Sequence, residues 1–206
     1  MSRPLPSDDS APPASAAASA RPPIRLSAQV LSCLVFCLIA AAIIGFTQDA
    51  PRELFTRPAA PMWQLVIGQG LALLAAALSY AVYRLSARSA STAKTIETCA
   101  RLDLRGMNPL WMALAAAIGE EMLFRAALQP LLGVWIVSLL FLATHVPVYR
   151  LRKPDRATLA QAAGIFGTSV ALGFTFQYVG LIAAMLVHLW IDIVGLLVVR
   201  SALRAR

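Results

Sequence analysis

Residues 26–46 read LSAQVLSCLVFCLIAAAIIGF, and no residue in this stretch is charged. A helix needs roughly 20 consecutive apolar residues to cross the hydrocarbon core of a bilayer, so the run is long enough to span a membrane. The apolar region of a signal peptide is shorter, at roughly 7–15 residues. We therefore interpret 26–46 as a retained membrane span.

The composition of the whole chain has the same character. Its 206 residues are 59% hydrophobic and 14% charged, whereas soluble domains average about 25% charged residues. These figures exclude a water-soluble enzyme, a disordered chain and a secreted disulfide scaffold. They predict an all-α polytopic bundle of transmembrane helices, because a helix satisfies its own backbone hydrogen bonds within lipid.

Five further apolar segments bring the prediction to about six spans, at 62–83, 109–129, 131–148, 158–176 and 180–199. Pro130 and Gly133 mark a short turn between the third and fourth spans. Small residues in the fifth span indicate close helix packing, namely Gly164, Gly167, Ala171 and Gly173.

Positive charges are distributed unevenly among the predicted loops. Fifteen of the 18 Lys and Arg residues lie in the N-terminal tail, the second and fourth loops and the C-terminus. Two lie in the first loop, and Arg125 lies inside a span. Because cytoplasmic loops are enriched in Lys and Arg, we predict that both termini are cytoplasmic. The net charge of +8 is thereby explained by contact with the lipid bilayer, and we expect no nucleic-acid partner.

These features divide the chain into four parts. Residues 1–25 are rich in Pro, Ala and Ser and are expected to form a flexible cytoplasmic tail. Residues 26–108 hold two spans and a basic cytoplasmic loop, 109–199 form a four-helix core, and 200–206 are a basic cytoplasmic C-terminus. Within the basic loop two interpretations remain open: an interfacial helix with residues such as Ile96 on its apolar face, or a solvated loop.

Six ionisable residues fall within the predicted spans and are the candidate functional residues. Each costs roughly 2.5–3.5 kcal/mol at a helix centre, so they should pair with one another or share a wet cavity. A spacing of four residues places two pairs of them each on one helix face. The six are Glu120, Glu121, Arg125, His145, His188 and Asp192.

The chemistry of these residues favours hydrolysis. Arg125 can keep Glu121 ionised, which leaves Glu120 to act as a general base on water. Either histidine could bind that water or stabilise an oxyanion. Glu120, His145 and His188 also form an acceptable zinc ligand set, and the residues do not choose between a metal and a metal-free mechanism.

Signatures of several other intramembrane proteases are missing from the sequence. It contains neither the HExxH pattern of a zinc-binding helix nor a Gly-x-Gly-Asp motif. Ser169 lacks the following glycine that is expected of a rhomboid-like serine. We therefore do not expect Ser169 and His188 to form a catalytic dyad.

Three segments resemble motifs of the CPBP family, the CAAX-protease and bacteriocin-processing (Abi) family. EEMLFR at 120–125 resembles its EExxxR motif, and FLATH at 141–145 resembles its FxxxH motif. HLWID at 188–192 resembles its third motif, Hxxx followed by Asn or Asp. The motifs follow the family's order, and the resemblance covers roughly 109–199.

This resemblance implies an intramembrane endopeptidase with a CAAX type II protease-like core and a site open to the cytosol. It implies that Glu120 is the catalytic base and that His145 helps to activate water. His188 and Asp192 would stabilise the oxyanion or position the site, supported by the second glutamate and the arginine of the first motif. The substrate would be a peptide or a membrane protein.

The chain departs from the family pattern at two positions. Ala126 follows the arginine where many members have Gly, and Asp192 stands where many have Asn. A carboxylate donates a hydrogen bond only when protonated, so Asp192 is better suited to orienting His188 or binding a cation. The Ala- and Arg-rich composition indicates a bacterial cytoplasmic membrane, where prenylated CaaX proteins are generally lacking.

Two other functions are consistent with the sequence. The first is a non-catalytic immunity or scaffold protein of the same fold, in which the polar cluster only holds helices together. The second is a proton or cation carrier. The sequence shows neither the inverted repeat nor the pair of Gly/Pro-broken helices expected of a transporter.

Overall fold

The structure is a computed structural model that describes residues 23–149, 151 and 155–205. Most of the predicted tail, residues 1–22, lies outside the described residues. Within the described part the chain is helical, with two isolated β-bridges and no strand. The prediction of an all-α helical bundle is confirmed.

The helices coincide with the predicted spans to within a few residues. Among the described residues, five helical stretches are long and apolar enough to cross a membrane. In chain order the elements are α1 (Leu26–Thr47), α2 (Glu53–Thr56), α3 (Pro61–Ser86), α4 (Ala90–Cys99), α5 (Asn108–Glu121), a π-helical turn (Met122–Leu128), α6 (Gln129–Tyr149), α7 (Arg156–Tyr178) and α8 (Leu181–Arg204).

The longest apolar stretch, Asn108–Tyr149, reverses direction at Gly133. This glycine has φ +75°, a conformation that residues with a Cβ rarely adopt. The ring centroids of Phe124 and Phe141 lie 5.1 Å apart, whereas seventeen residues of straight helix would separate them by roughly 25 Å. The third and fourth predicted spans are therefore the two arms of one helical hairpin, with the turn where it was predicted.

Close helix contacts depend on two glycines outside the predicted small-residue stripe. A Cβ at Gly68 would lie 2.7 Å from the Cα of Ala183, and a Cβ at Gly119 would lie 2.8 Å from the Cα of Cys33. Only glycine allows α3 to meet α8, and α5 to meet α1, at these points. Within the predicted stripe, a Cβ at Gly164 or Gly167 would meet no atom within 4 Å, but a Cβ at Gly173 would lie 2.8 Å from Cγ1 of Val134 on α6. The prediction of close packing is therefore confirmed at Gly173 and wrong at Gly164 and Gly167.

The second loop forms a helix that packs on the bundle. Helix α4 begins after Ser89, whose Oγ accepts the backbone N–H of Thr92 at 3.1 Å. Ile96 on its apolar face is buried in a cluster with Met112 and Val199. The second loop is thus helical, as the first of the two interpretations predicted, but the apolar face of the helix contacts protein, because the ends of α5 and α8 cover it.

On the opposite side of the bundle, the buried side chain of Gln64 joins three segments. Its Nε2 donates to the carbonyls of Phe55 at 2.9 Å and Ala59 at 2.8 Å. Its Oε1 accepts the backbone N–H of Ile182 at 3.0 Å. One side chain therefore holds the first loop against the start of α8.

We predict that Gln64→Leu lowers the free energy of unfolding by roughly 1–3 kcal/mol, because it leaves buried backbone groups unsatisfied. The measurement is unfolding of the purified protein in detergent, by heat and by denaturant. Gln69→Leu is the matched control on the same helix, since Gln69 makes no hydrogen bond within the described residues. Equal stability of the two variants would contradict this role.

A second prediction concerns the thiol of Cys99 at the end of α4. Burial, followed by the nearby carboxylate of Asp192, raises its pKa from 9.0 to about 11. At neutral pH this leaves about a hundredth of the usual thiolate, the form that reacts with alkylating reagents. In a Cys33→Ala/Cys37→Ala variant, alkylation of the folded protein should be roughly 100-fold slower than in denaturant and should still be rising at about pH 9.5.

A folded-state alkylation rate that reaches half of its maximum near pH 9, as for an exposed thiol, would show that α4 does not hold Cys99 against the bundle.

Candidate active site

A fully buried ion pair forms the base of the site. Arg125 Nε lies 3.2 Å from Glu121 Oε2, and both side chains have no solvent exposure. Arg125 Nη2 also donates to the Oγ of Ser169 on α7 at 3.1 Å. The guanidinium lies over the ring of Phe141, 5.4 Å from its centroid. Because an unpaired buried charge is strongly destabilising, these contacts constrain how α5, α6 and α7 meet.

Arg125 lies in the π-helical turn, a feature that the sequence pattern did not predict. Such wide turns leave backbone groups without their usual α-helical partners and often occur at functional sites. Here the carbonyl of Ala126 accepts a hydrogen bond from Gln48 Nε2 of the first loop at 2.8 Å. Ala126 itself is fully buried against Ala40 and Leu181, so the alanine in place of the family's glycine fills packed space.

His188 on α8 faces carboxylates through both ring nitrogens. Its Nδ1 lies 2.8 Å from Glu121 Oε1. An ionised carboxylate only accepts hydrogen bonds, so Nδ1 carries the proton and donates it. Its Nε2 lies 3.9 Å from Glu120 Oε2 and 3.6 Å from Asp192 Oδ2. These two distances exceed a hydrogen bond, which leaves both carboxylates able to bind another molecule.

The two glutamates of the first motif differ in access to solvent. Glu121 is fully buried, whereas the side chain of Glu120 is 16% exposed. Asp192 is the most open of the acids, with 33% of its side chain exposed. Glu121 therefore contacts Arg125 and His188, whereas Glu120 and Asp192 are accessible to solvent.

His145 on α6 reaches the other site residues through stacked and edge-on aromatic rings. Its Nδ1 lies 2.8 Å from the carbonyl of Phe141, and a carbonyl only accepts, so Nδ1 is protonated and Nε2 is the acceptor. Its ring stacks on Phe141 at 4.4 Å and on Tyr149 at 6.0 Å. The ring of Phe141 also meets His188 edge-on at 6.3 Å. His145 therefore lies near the other five residues without a direct hydrogen bond to them.

A cavity of about 390 Å³ lies beside this group. It lies between the C-terminal ends of α3 and α6, the first half of α7 and the second half of α8, and α4 covers it. His145, His188 and Asp192 line it, and Asp192 is the only Asp, Glu, Lys or Arg among its described lining residues. The cavity lies at the end of the bundle that carries the second loop and the C-terminus.

The residues do not fit a three-ligand metal site. In the part of the chain that the structure describes, no three His, Cys, Asp or Glu side chains are arranged to hold a metal ion. The zinc ligand set considered from the sequence, Glu120, His145 and His188, forms no such group.

Ser169 is the polar partner that sequence reasoning missed. The sequence raised it only as a nucleophile, but its buried Oγ accepts from Arg125 and makes no contact with His188 among the described hydrogen bonds. Its position on α7, 44 residues after Arg125, gave no periodic signal that links the two. The one sequence signal for Ser169 was its position, as a small polar residue in the middle of an apolar helix.

Fold and site together define a polytopic helical membrane protein with a polar centre of acids, arginine and histidine at a cavity. Residues 106–194 match the family described as Rce1-like, "Type II CAAX prenyl endopeptidase Rce1-like". This segment of the chain is similar to that family of CAAX-type proteases, and the resemblance predicted from the three motifs is confirmed. With its five apolar stretches, the chain is an integral membrane protein. No curated protein and no solved structure matches it.

We predict that Arg125→Met lowers the free energy of unfolding by roughly 3–5 kcal/mol, because it leaves Glu121 as an uncompensated buried charge. Arg84→Met is the matched control, since Arg84 is exposed at the end of α3 and bonds only to Tyr80 among the described residues. Denaturant unfolding in detergent compares the two variants. A small and equal effect of both would show that the buried pair does not stabilise the bundle.

Proposed function

We propose that the protein is an intramembrane endopeptidase of the CAAX prenyl protease 2/CPBP type, which hydrolyses a peptide bond with water activated by a glutamate. The observation that carries the proposal is the arrangement around His188. One ring nitrogen is fixed by the buried Glu121 at 2.8 Å, and the other faces two accessible carboxylates beside a cavity of about 390 Å³.

Glu120 is the general base in this proposal. It is the accessible acid of the first motif, and no hydrogen bond within the described residues occupies it. Glu121 cannot take this role, because Arg125 and His188 already use its oxygens. A positioned base typically contributes about 10²–10⁴-fold to a hydrolytic rate.

His145 assists as an acceptor for the attacking water. The Phe141 carbonyl holds its Nδ1 proton, so the unprotonated Nε2 is the nitrogen available to the cavity. In this tautomer it can orient a water but cannot donate to an oxyanion.

His188 and Asp192 act on the substrate carbonyl. Glu121 holds the imidazole in place, and when the ring carries both protons its Nε2–H can donate to the developing oxyanion. Asp192, in place of the family's frequent Asn, lies 3.6 Å from Nε2, where its negative charge favours the doubly protonated ring.

The cavity side indicates the direction from which substrate enters. The second loop and the C-terminus, which border the cavity, carry eight of the 18 Lys and Arg residues, whereas the first loop carries two. Cytoplasmic loops are enriched in these residues, so we place the opening and both termini on the cytosolic side, in a bacterial cytoplasmic membrane. The substrate is a peptide or a membrane protein, and 109–199 form the catalytic core behind a cytoplasmic tail at 1–25.

We expect Glu120→Gln to reduce cleavage at least about 100-fold, since it removes the base and leaves side-chain size unchanged. Terminal peptides of the host membrane proteome are compared between strains that express the wild type and the variant at matched levels. Glu97→Gln, an exposed acid on α4, should cleave as the wild type does.

The comparison also decides between catalysis and a scaffold role. Termini that appear with the wild type and Glu97→Gln but not with Glu120→Gln establish proteolysis and name the substrate. If Glu120→Gln yields the same termini and supports the same phenotype as the wild type, the protein is a non-catalytic scaffold of this fold.

A further inference from the structure

A second polar group lines the cavity away from the histidines. Gln161 on α7 is 7% exposed, and its Nε2 donates to the Oγ1 of Thr95 on α4 at 3.0 Å. Its Oε1 is buried and has no hydrogen-bond partner within the described residues. Both residues line the same cavity as His145, His188 and Asp192.

The orientation of the Gln161 amide follows from the hydroxyl that it binds. Thr95 has one hydroxyl proton, and it donates this proton to the carbonyl of Ser91 at 3.1 Å. The Thr95 oxygen can therefore only accept from Gln161, which requires the amide NH₂ at that position. The amide oxygen is thus the group left without a partner.

A buried acceptor without a donor is unfavourable, and Gln161 lines the space in which the proposed substrate would lie. Helix α4 is held in position by a second contact, because Lys94 Nζ donates to Thr158 Oγ1 on α7 at 2.5 Å. The acceptor is therefore built on two helices that are fixed to each other. The complementary group on a peptide is a backbone N–H.

The charge of the cavity limits which peptides fit. No Lys or Arg lines it in the described residues, and Asp192 supplies a single carboxylate. Many of its other polar lining groups are hydroxyls, for example those of Ser79, Thr92 and Thr168. Acidic side chains would be repelled, whereas neutral or basic ones would be accepted.

We propose that Gln161 is a substrate-binding residue whose Oε1 accepts a backbone N–H of an extended, non-acidic peptide segment in the cavity. This assignment rests on the proposed peptidase function. It makes α4 one wall of the substrate site, with Thr95 as the residue that positions the Gln161 amide.

The test uses the full chain in proteoliposomes and synthetic peptides that span a cleavage site found by the comparison of terminal peptides. Each backbone N–H of the peptide is replaced in turn by N-methyl. With the wild type, one of these replacements should raise KM about tenfold, the effect of losing one hydrogen bond to a buried acceptor. The value of kcat should stay within about twofold, because binding alone is weakened.

Gln161→Met should raise KM for the unmodified peptide by a similar factor of about ten. N-methylation at the sensitive position should then add no further increase, because the two changes remove the same hydrogen bond. Thr95→Val retains the glutamine but releases its amide, so it should weaken the dependence on that N–H only in part.

Gln129→Met is the matched control. Gln129 is equally buried, donates through Nε2 to the Gly173 carbonyl at 2.9 Å and also has an unpartnered Oε1 in the described part of the chain, but it does not line the cavity. Its variant should keep the wild-type response to N-methylation.

Three results would overturn the assignment: no N-methyl position whose effect disappears in Gln161→Met, a wild-type KM in that variant, or the same loss of response in Gln129→Met. If Gln161→Met does not fold, an unchanged response in Thr95→Val overturns it. If the wild type yields no termini beyond those of Glu120→Gln, both the peptidase function and this assignment fail. Cleavage that is insensitive to Gln161 refutes the assignment alone.

Discussion

The buried pair of Glu121 and Arg125 is the constraint on which the site depends. Two charges without solvent exposure are tolerated in the bundle because each has a further partner, His188 for the acid and Ser169 for the base. Those partners lie on α8 and α7, so satisfying the charges fixes where both helices pack against α5. The orientation of His188, and hence the direction of its outer nitrogen, follows from the same requirement.

The hairpin at Gly133 provides the second condition for the site. By reversing the chain there, the hairpin brings Phe141 against Phe124. It also places the first motif, at 120–125, and the second motif, at 141–145, on adjacent arms. Phe141 then serves twice: its ring covers the Arg125 guanidinium, and its carbonyl holds the Nδ1 proton of His145. One aromatic residue thus couples the buried charge to the tautomer of a histidine at the cavity.

Local sequence patterns were sufficient to predict the helices, the chain reversal near Gly133 and the pairing of Glu121 with Arg125. Runs of apolar residues determined the spans, and the spacing of four residues determined that Glu121 meets Arg125. The patterns could not show contacts between helices, such as that of Arg125 with Ser169, because these depend on how each helix is rotated about its axis. For the same reason the predicted stripe included Gly164 and Gly167, which pack against nothing among the described residues, whereas Gly68, Gly119 and Gly173 provide the close contacts. The π-helical turn could not be predicted either, because the sequence shows no periodic pattern specific to it.

Gln48 directly follows the first helix and contacts the segment of the chain that matches the Rce1-like family. Its side chain satisfies the carbonyl of Ala126 in the π-helical turn, although residues 106–194 alone match the family. A carbonyl without a donor is costly within a membrane. The matched segment is therefore not a self-sufficient module. A chimera that joins it to the first helix of a relative would need a hydrogen-bond donor at the same depth to keep the arginine-bearing turn in its present shape.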